Sequence, residues 1–375
     1  MSRVQYEHGL VIGKFYPPHL GHEYLIRTAA AHCRHVSVAV MGASVESIPV
    51  QDRAAWLRSA MADLPQVRIV AGIDDLPVDY ASHELWLAHV ALMRQAVAEA
   101  DAIYGAAAPV DAVFSSENYG AELARQFNAA AVCLDQRRSV HAVSGTAVRA
   151  NPVALWDSVS ADVHAGLALR VVVVGAESTG TTTLSRDLTA ALQQRGGVWA
   201  RTAWVGEYGR EYSVNLLALA RAANPAARPE DIAWQTEDFD WVAQEQCRRE
   251  NAAARHGSPV LVCDTDAMAT RIWHERYMGH ISPGVAAIAA AMPARALYLL
   301  TIDDGVPFED DGLRDGEHLR SWMTGRFRTE LAALPTPWLE LRGTPTERCA
   351  QALAAVDDLL ANAWQFAAPL PQLNA

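Results

Sequence analysis

Lysine is almost missing from this 375-residue chain: of its 31 lysines and arginines, only Lys14 is a lysine. Alanine and arginine are abundant, so the scarcity reads as a compositional bias. The charge surplus is acidic, with 43 Asp and Glu and a formal net charge of -12. That balance argues against general nucleic-acid binding, which needs basic surface to displace counterions. Cysteine is sparse too. Cys33, Cys133, Cys247, Cys263 and Cys349 form no Cys-x-x-Cys pair. They suggest reduced thiols of a cytoplasmic protein, not a disulfide framework or a metal site. No apolar run approaches the roughly 20 residues that span a bilayer. Met1 to His8 lacks the apolar core of a signal peptide. Gly/Ser-rich linkers and internal repeats are also lacking.

What is present is two α/β series, and a chain of this length is expected to form about two domains. The first has strand candidates at Gly9–Phe15, His35–Met41, Val67–Ala71, Ala112–Ser115 and Ala131–Leu134, with helical stretches such as Glu23–Cys33, Arg53–Ala62 and Glu84–Ala100 between them. The second has Arg170–Val174, Val198–Thr202, Val260–Cys263, Leu297–Thr301 and Trp338–Leu341. Alternating strands and helices predict two doubly wound parallel sheets, with ligands beyond the carboxyl ends of the strands. Asn151–Leu167 reads as a connecting helix, placing the domains at 1–168 and 169–375, and the Pro-rich tail Phe366–Ala375 is expected to fray.

Gly13 to His22 reads Gly-Lys-Phe-Tyr-Pro-Pro-His-Leu-Gly-His between the first strand and the first helix. Gly13 and Gly21 let the main chain approach a ligand. Pro17 and Pro18 stiffen the turn, and the helix start offers unpaired N–H groups to a polyphosphate. Ser144-Gly145-Thr146-Ala147-Val148-Arg149 supplies hydroxyls, a glycine and an arginine suited to pair bidentately with phosphate.

Together the two strings resemble the nucleotidyltransferase superfamily with the His-x-Gly-His signature. The resemblance implies direct attack of an acceptor phosphate on the α-phosphorus of ATP, releasing pyrophosphate. It implies that His19 and His22 hold and polarise the phosphates. Lys14 and Arg149 would neutralise the β- and γ-phosphates, while Gly13, Phe15, Gly21, Ser144, Gly145 and Thr146 form the ATP side. Less specific pieces fit the same site. Ser116 and Asn118 follow a strand, where a plain turn is an equal reading. Arg53 reads as a contact to the acceptor's phosphate or as a solvated helix arginine, and Trp86 as a stacking platform or a core residue. Asp135 and Arg137 are placed beside the adenosine.

In the second series Gly175-Ala-Glu-Ser-Thr-Gly180-Thr181-Thr182-Thr183 follows a buried-type strand and opens a helix. This is the P-loop layout, Gly-x-x-x-x-Gly-Lys-Ser/Thr, with Thr181 in the lysine position. Glu177, Ser178, Thr179 and the glycines would cradle phosphates, and Thr182 with Asp266 would handle Mg²⁺ through water. Asp264, at a strand end, is the candidate base. Glu207 and Arg210 lie near another strand end, and Asp311, Arg314 and Arg320 in a charged, glycine-bearing segment suited to a lid.

Gly-Ala-Glu-Ser-Thr-Gly, Glu-Tyr-Gly-Arg-Glu-Tyr, Asp-Thr-Asp and Asp-Gly-Leu-Arg, behind the first-domain motifs, narrow the resemblance. The chain is similar to the NadR-type family, which joins a nicotinamide mononucleotide adenylyltransferase to a ribosylnicotinamide kinase. The resemblance implies a Rossmann-like transferase followed by a P-loop kinase fold. It implies ATP, nicotinamide mononucleotide and nicotinamide riboside as substrates, NAD as product, and Mg²⁺. With only eight residues before the first strand region, the helix-turn-helix segment of some relatives is not expected, nor is DNA or membrane binding. A homo-oligomer is compatible with the pattern. Thr181 sets the kinase step apart: Arg210, Arg314 or Arg320 would have to replace the missing charge. Two other readings remain, a coenzyme A pathway transferase/kinase and a second domain that senses nucleotide without turnover.

Overall fold

Runs of valine and isoleucine make the strands, because β-branched side chains pack well on a pleated surface. In the first series these are β1 (Tyr6–Gly13), β2 (Cys33–Gly42), β3 (Val67–Ile73), β4 (Ala112–Ser115) and β5 (Ala130–Cys133). They pair in parallel in the order β3-β2-β1-β4-β5. Helices α1 (Leu20–His32), α2 (Val50–Ala60), α3 (His83–Tyr104), α4 (Gly120–Phe127), α5 (Gly145–Ala150) and α6 (Ala161–Leu167) punctuate them. The twofold alternation of a strand separates neighbours onto opposite faces. Val11 packs with Ile26 and Leu57 on one face of the sheet, and Leu10 with Val90 and Leu123 on the other. Strand order reverses between β1 and β4, which opens a crevice at their carboxyl ends. Gly13 ends one of those strands and Ser115 the other.

The second sheet repeats the plan with β6 (Leu169–Gly175), β7 (Ala203–Val205), β8 (Val260–Asp264), β9 (Leu297–Thr301) and β10 (Trp338–Leu341), ordered β10-β9-β6-β8-β7. Helices α7 (Thr181–Gln193), α8 (Tyr208–Ala223), α9 (Thr236–Ala254), α10 (Ala267–Met278), α11 (Pro283–Ala291), α12 (Arg320–Ala333) and α13 (Pro345–Asn362) accompany it. Both sheets are the parallel α/β type expected.

The computed structural model describes residues 5–79, 82–314, 316–368 and 370. The chain divides into two units, Met1–Val163 with Trp364–Ala375, and His164–Ala363. Three segments depart from expectation. Val198–Thr202 is not a strand: Gly196 and Gly197, at φ of 71° and 56°, turn the chain into a 3₁₀ segment, and β7 starts only at Ala203. Asn151–Leu167 is not one helix, because Pro152 cannot continue α5 and the Asn151 side chain takes the Ala154 N–H. A 3₁₀ turn at Trp156–Ser158 and then α6 follow. The tail does not fray at Ala367, whose N–H and carbonyl are hydrogen-bonded to Ser47 and Tyr16; residues 369 and 371–375 lie outside the described residues. No helix among the described residues is long and apolar enough to cross a membrane.

Candidate active sites

The Gly13–His22 turn brings its histidines face to face. His19 sits at the N-cap of α1, and its N–H donates to His22 Nδ1 at 3.3 Å. The two rings stack at 3.6 Å, and Phe15 meets His22 edge-on at 4.8 Å. A Cβ on Gly21 would lie 3.1 Å from the His19 ring, so glycine keeps the stack possible. His19 is buried and His22 half-buried, and desolvation is the main reason their pKa values fall, His19 to about 4 and His22 well below the usual range. Arg138 and His141 add to the effect on His19. Both rings are therefore neutral at pH 7, and His19 Nδ1 has no partner among the described residues.

The Ser144–Arg149 string docks on the same turn. A Cβ on Gly145 would come within 2.8 Å of the Tyr16 carbonyl oxygen. Arg149 donates to that carbonyl and to Thr146 Oγ1, and its guanidinium lies 4.6 Å from the Tyr16 ring centroid. Ser144 caps α5, accepting from Ala147 N at 3.1 Å. Asp135 accepts from the N–H groups of Ser139, Val140 and His141 and so shapes the loop leading there. These residues line a cavity of about 700 Å³ with Gly13, Lys14, Ser116 and Glu117. Arg137 is exposed and not among its walls.

A second cavity of about 650 Å³ shares Ile12, Gly13, Lys14, Val78, Tyr119 and Leu370 with the first. Its other walls include Trp86, Asn118 and a half-buried pair, His89 Nδ1 at 2.6 Å from Asp74 Oδ2. Trp86 thus faces the cavity, with a buried Nε1 that has no partner among the described residues.

Arg53 does neither thing expected of it. Its side chain is fully buried, pairs with Glu46 at 2.7 Å and donates to the carbonyls of Ile48 and Lys14. Glu46 also holds Lys14 Nζ at 3.1 Å. Arg53 is a brace beneath the signature turn and lines neither cavity. Glu46, Tyr16, Arg138 and His141 were not singled out from sequence; His141 stands three residues before Ser144, the one signal that would have flagged it.

In the second unit the loop between β6 and α7 wraps a cavity of about 770 Å³ lined by Gly175, Glu177, Ser178, Thr181, Thr182, Thr183, Asp264, Glu207, Arg210, Asp311 and Arg314, among others. A Cβ on Gly175 would stand 2.3 Å from Thr301 Oγ1 and 2.5 Å from Thr179 Oγ1, so only glycine fits. Gly180 takes φ 89°. Thr182 donates to Asp264 at 2.6 Å. Burial pushes the Asp264 and Glu207 carboxyls upward, Glu207 further because Asp264 is a like charge nearby. Glu177 pairs with Arg276 at 3.2 Å. Arg314 and the Glu309 N–H both donate to Ser178 Oγ, and Arg210 pairs with Asp311, so the charged segment lies against the loop.

Two assignments fail here. Arg320 donates to the carbonyls of Ser178 and Val306, bracing the loop from its acceptor side instead of facing phosphate. Asp266 caps α10 and accepts from Arg295 Nε at 2.9 Å and Tyr298 OH at 2.8 Å in the protein interior. It is absent from the cavity lining and does not join Thr182. Arg186 was missed: it lines the cavity one turn after Thr182, over Trp204 at 4.5 Å.

A family profile described as citrate lyase ligase C-terminal domain matches residues 9–86, and one described as AAA domain matches residues 170–348. The trifunctional NAD biosynthesis/regulator protein NadR of Escherichia coli (strain K12) is 26% identical over 324 residues, covering 82% of this chain and 71% of that protein. Its Salmonella typhimurium counterpart is 26% identical over 330 residues, covering 83% and 72%. Crystal structures of NadR protein, one with NAD and AMP-PNP and one with NR, share this fold at TM-scores of 0.66 and 0.68, 20% identity and full coverage of both chains. Fold and sites define a nucleotidyltransferase domain followed by a P-loop kinase-type domain. Across both domains the chain is similar to the NadR proteins.

Proposed function

We propose that the first unit transfers the adenylyl group of ATP to nicotinamide mononucleotide, giving NAD and pyrophosphate, and that the second phosphorylates nicotinamide riboside. The observation that carries the first half is the pair of cavities meeting at Gly13–Lys14: one holds the stacked histidines and Arg149, the other Trp86. In the reaction an oxygen of the mononucleotide's phosphate attacks the α-phosphorus. The bond to the bridging oxygen breaks, and pyrophosphate leaves. His19 and His22 offer neutral ring nitrogens to the phosphate oxygens, while Lys14 and Arg149 stabilise the charge that builds on the leaving group. The nicotinamide ring takes the Trp86 side. Catalysis is positioning and electrostatics, with no covalent enzyme intermediate.

In the second unit the Ala176–Gly180 loop supplies backbone N–H groups to the phosphates of ATP, and Asp264 orients the riboside hydroxyl. The Thr182 hydroxyl and the Asp264 carboxylate offer oxygen donors of the kind Mg²⁺ takes. Bound there, the ion would neutralise phosphate oxygens. Purified protein given ATP and the mononucleotide should release NAD and pyrophosphate in equal amounts; no NAD above background would refute the first half. Thr181 favours a second reading, in which this unit binds nucleotide without turnover: its hydroxyl bonds the same Asp264 that would have to meet the substrate. Riboside-dependent ADP formation would exclude that reading.

A further inference from the structure

The segment Trp364–Ala368 is docked on the transferase signature. Ala367 N–H donates to Ser47 Oγ at 2.6 Å, and Ser47 Oγ–H reaches the Gln365 carbonyl at 3.3 Å. The Tyr16 hydroxyl accepts from Ser47 N at 2.9 Å and donates toward the Ala367 carbonyl at 3.4 Å. Phe366 meets the Tyr16 ring edge-on at 6.0 Å, and Trp364 lies 6.3 Å from the fully buried Trp156. Tyr16 is itself fixed between Arg53 and Arg149, each 4.6 Å from its ring centroid. The segment is thus keyed to the residue that joins the two phosphate-binding strings.

Its far end reaches the chemistry. Ala368 and Leu370 line the histidine cavity, and Leu370 also lines the Trp86 cavity. Leu370 belongs to the small set shared by both, beside Gly13 and Lys14, where a mononucleotide phosphate and the α-phosphorus of ATP would meet. An apolar side chain at that junction offers water no hydrogen bond and occupies space water would take. A water that did enter would be a competing nucleophile: its oxygen would bond to the α-phosphorus, pyrophosphate would leave, and a proton would be lost, giving AMP.

We propose that Trp364–Ala368 and Leu370 form a wall of the transferase site, with Leu370 a positioning residue that packs the acceptor against the α-phosphorus and keeps water from it. The proposal rests on the adenylyl-transfer reading. Three proteins test it: the full chain, the full chain carrying Leu370→Glu, and a chain stopped after Ala363. Dinucleotide, AMP and pyrophosphate are measured together, with thermal unfolding alongside. The full chain should give one dinucleotide per pyrophosphate; if it makes none, the reading itself has failed. Leu370→Glu and the shortened chain should show an acceptor KM raised roughly tenfold or more. AMP should also appear, so that pyrophosphate exceeds dinucleotide. The proposal is overturned if Leu370→Glu keeps the parental acceptor KM and a one-to-one ratio. It is equally overturned if the shortened chain merely unfolds earlier while its folded fraction keeps both, since that is a structural role only.

Discussion

Replacing Arg53 by methionine separates a brace from a ligand. Arg53 and Glu46 are both fully buried and 2.7 Å apart, and the guanidinium also serves the Ile48 and Lys14 carbonyls. Removing one partner of such a pair leaves a buried charge, which costs about 3–5 kcal/mol. For a unit of this size each kcal/mol lowers the unfolding midpoint by about 2–4 °C, so the drop should be roughly 6–20 °C. Activity should fall as well, because Glu46 would then be held by Lys14 alone and would draw it from the phosphates. Adding Glu46→Gln should restore part of the lost stability, since the stranded charge is gone. Calorimetry on both variants, with steady-state kinetics below the lowered midpoint, decides the matter. An unchanged midpoint with a raised KM for the mononucleotide would refute the reasoning and make Arg53 a substrate contact.

Other outcomes follow from the same geometry. His19, lowered to about 4 from an ordinary 6.5, is held neutral by the fold; the unfolded chain takes a proton first as pH falls, so stability should decline between pH 6.5 and 4 by on the order of 3 kcal/mol. Urea unfolding at pH 7.5 and 5 should show a smaller loss for His19→Asn; equal losses would contradict it. Thr181→Lys should raise riboside phosphorylation by about tenfold or more if charge alone limits that step, measured as ADP release. Asp266→Asn should lower the unfolding midpoint by breaking the Arg295 and Tyr298 contacts while leaving the Mg²⁺ concentration dependence of any kinase activity unchanged; a shifted dependence would return Asp266 to the metal.

The strands and the two phosphate loops were legible because their signals are local. Valine runs, punctuating glycines and a histidine pair at a helix start need nothing distant to be read. What escaped depends on which way a side chain turns. Arg53 carried a hint: Val50, Arg53, Ala54 and Leu57 share one helical face, and that face is buried. Its partner Glu46, however, lies in the preceding loop with no pattern to link them. Asp266 looked like a second strand-end carboxylate; Arg295 and Tyr298, 29 and 32 residues further on, turn it inward. Arg320 looked like a phosphate ligand for want of any sign that Ser178 presents its carbonyl there. The tail from Phe366 onward read as loose because proline-rich composition says nothing about a serine and a tyrosine waiting more than three hundred positions earlier.

The solitary lysine has a practical meaning beyond catalysis. The Lys14 side chain is 44% exposed, with Glu46 its ion-pair partner. Lysine-directed acylation, reductive methylation or dye labelling therefore has one side-chain address in 375 residues, apart from the chain's α-amino group. A reagent made for surface coupling becomes, in this chain, a reporter of whether the transferase pocket is filled. Isotopic labelling of the lysine Nζ would give a spectrum with a single side-chain signal, placed in the cavity that the stacked histidines line.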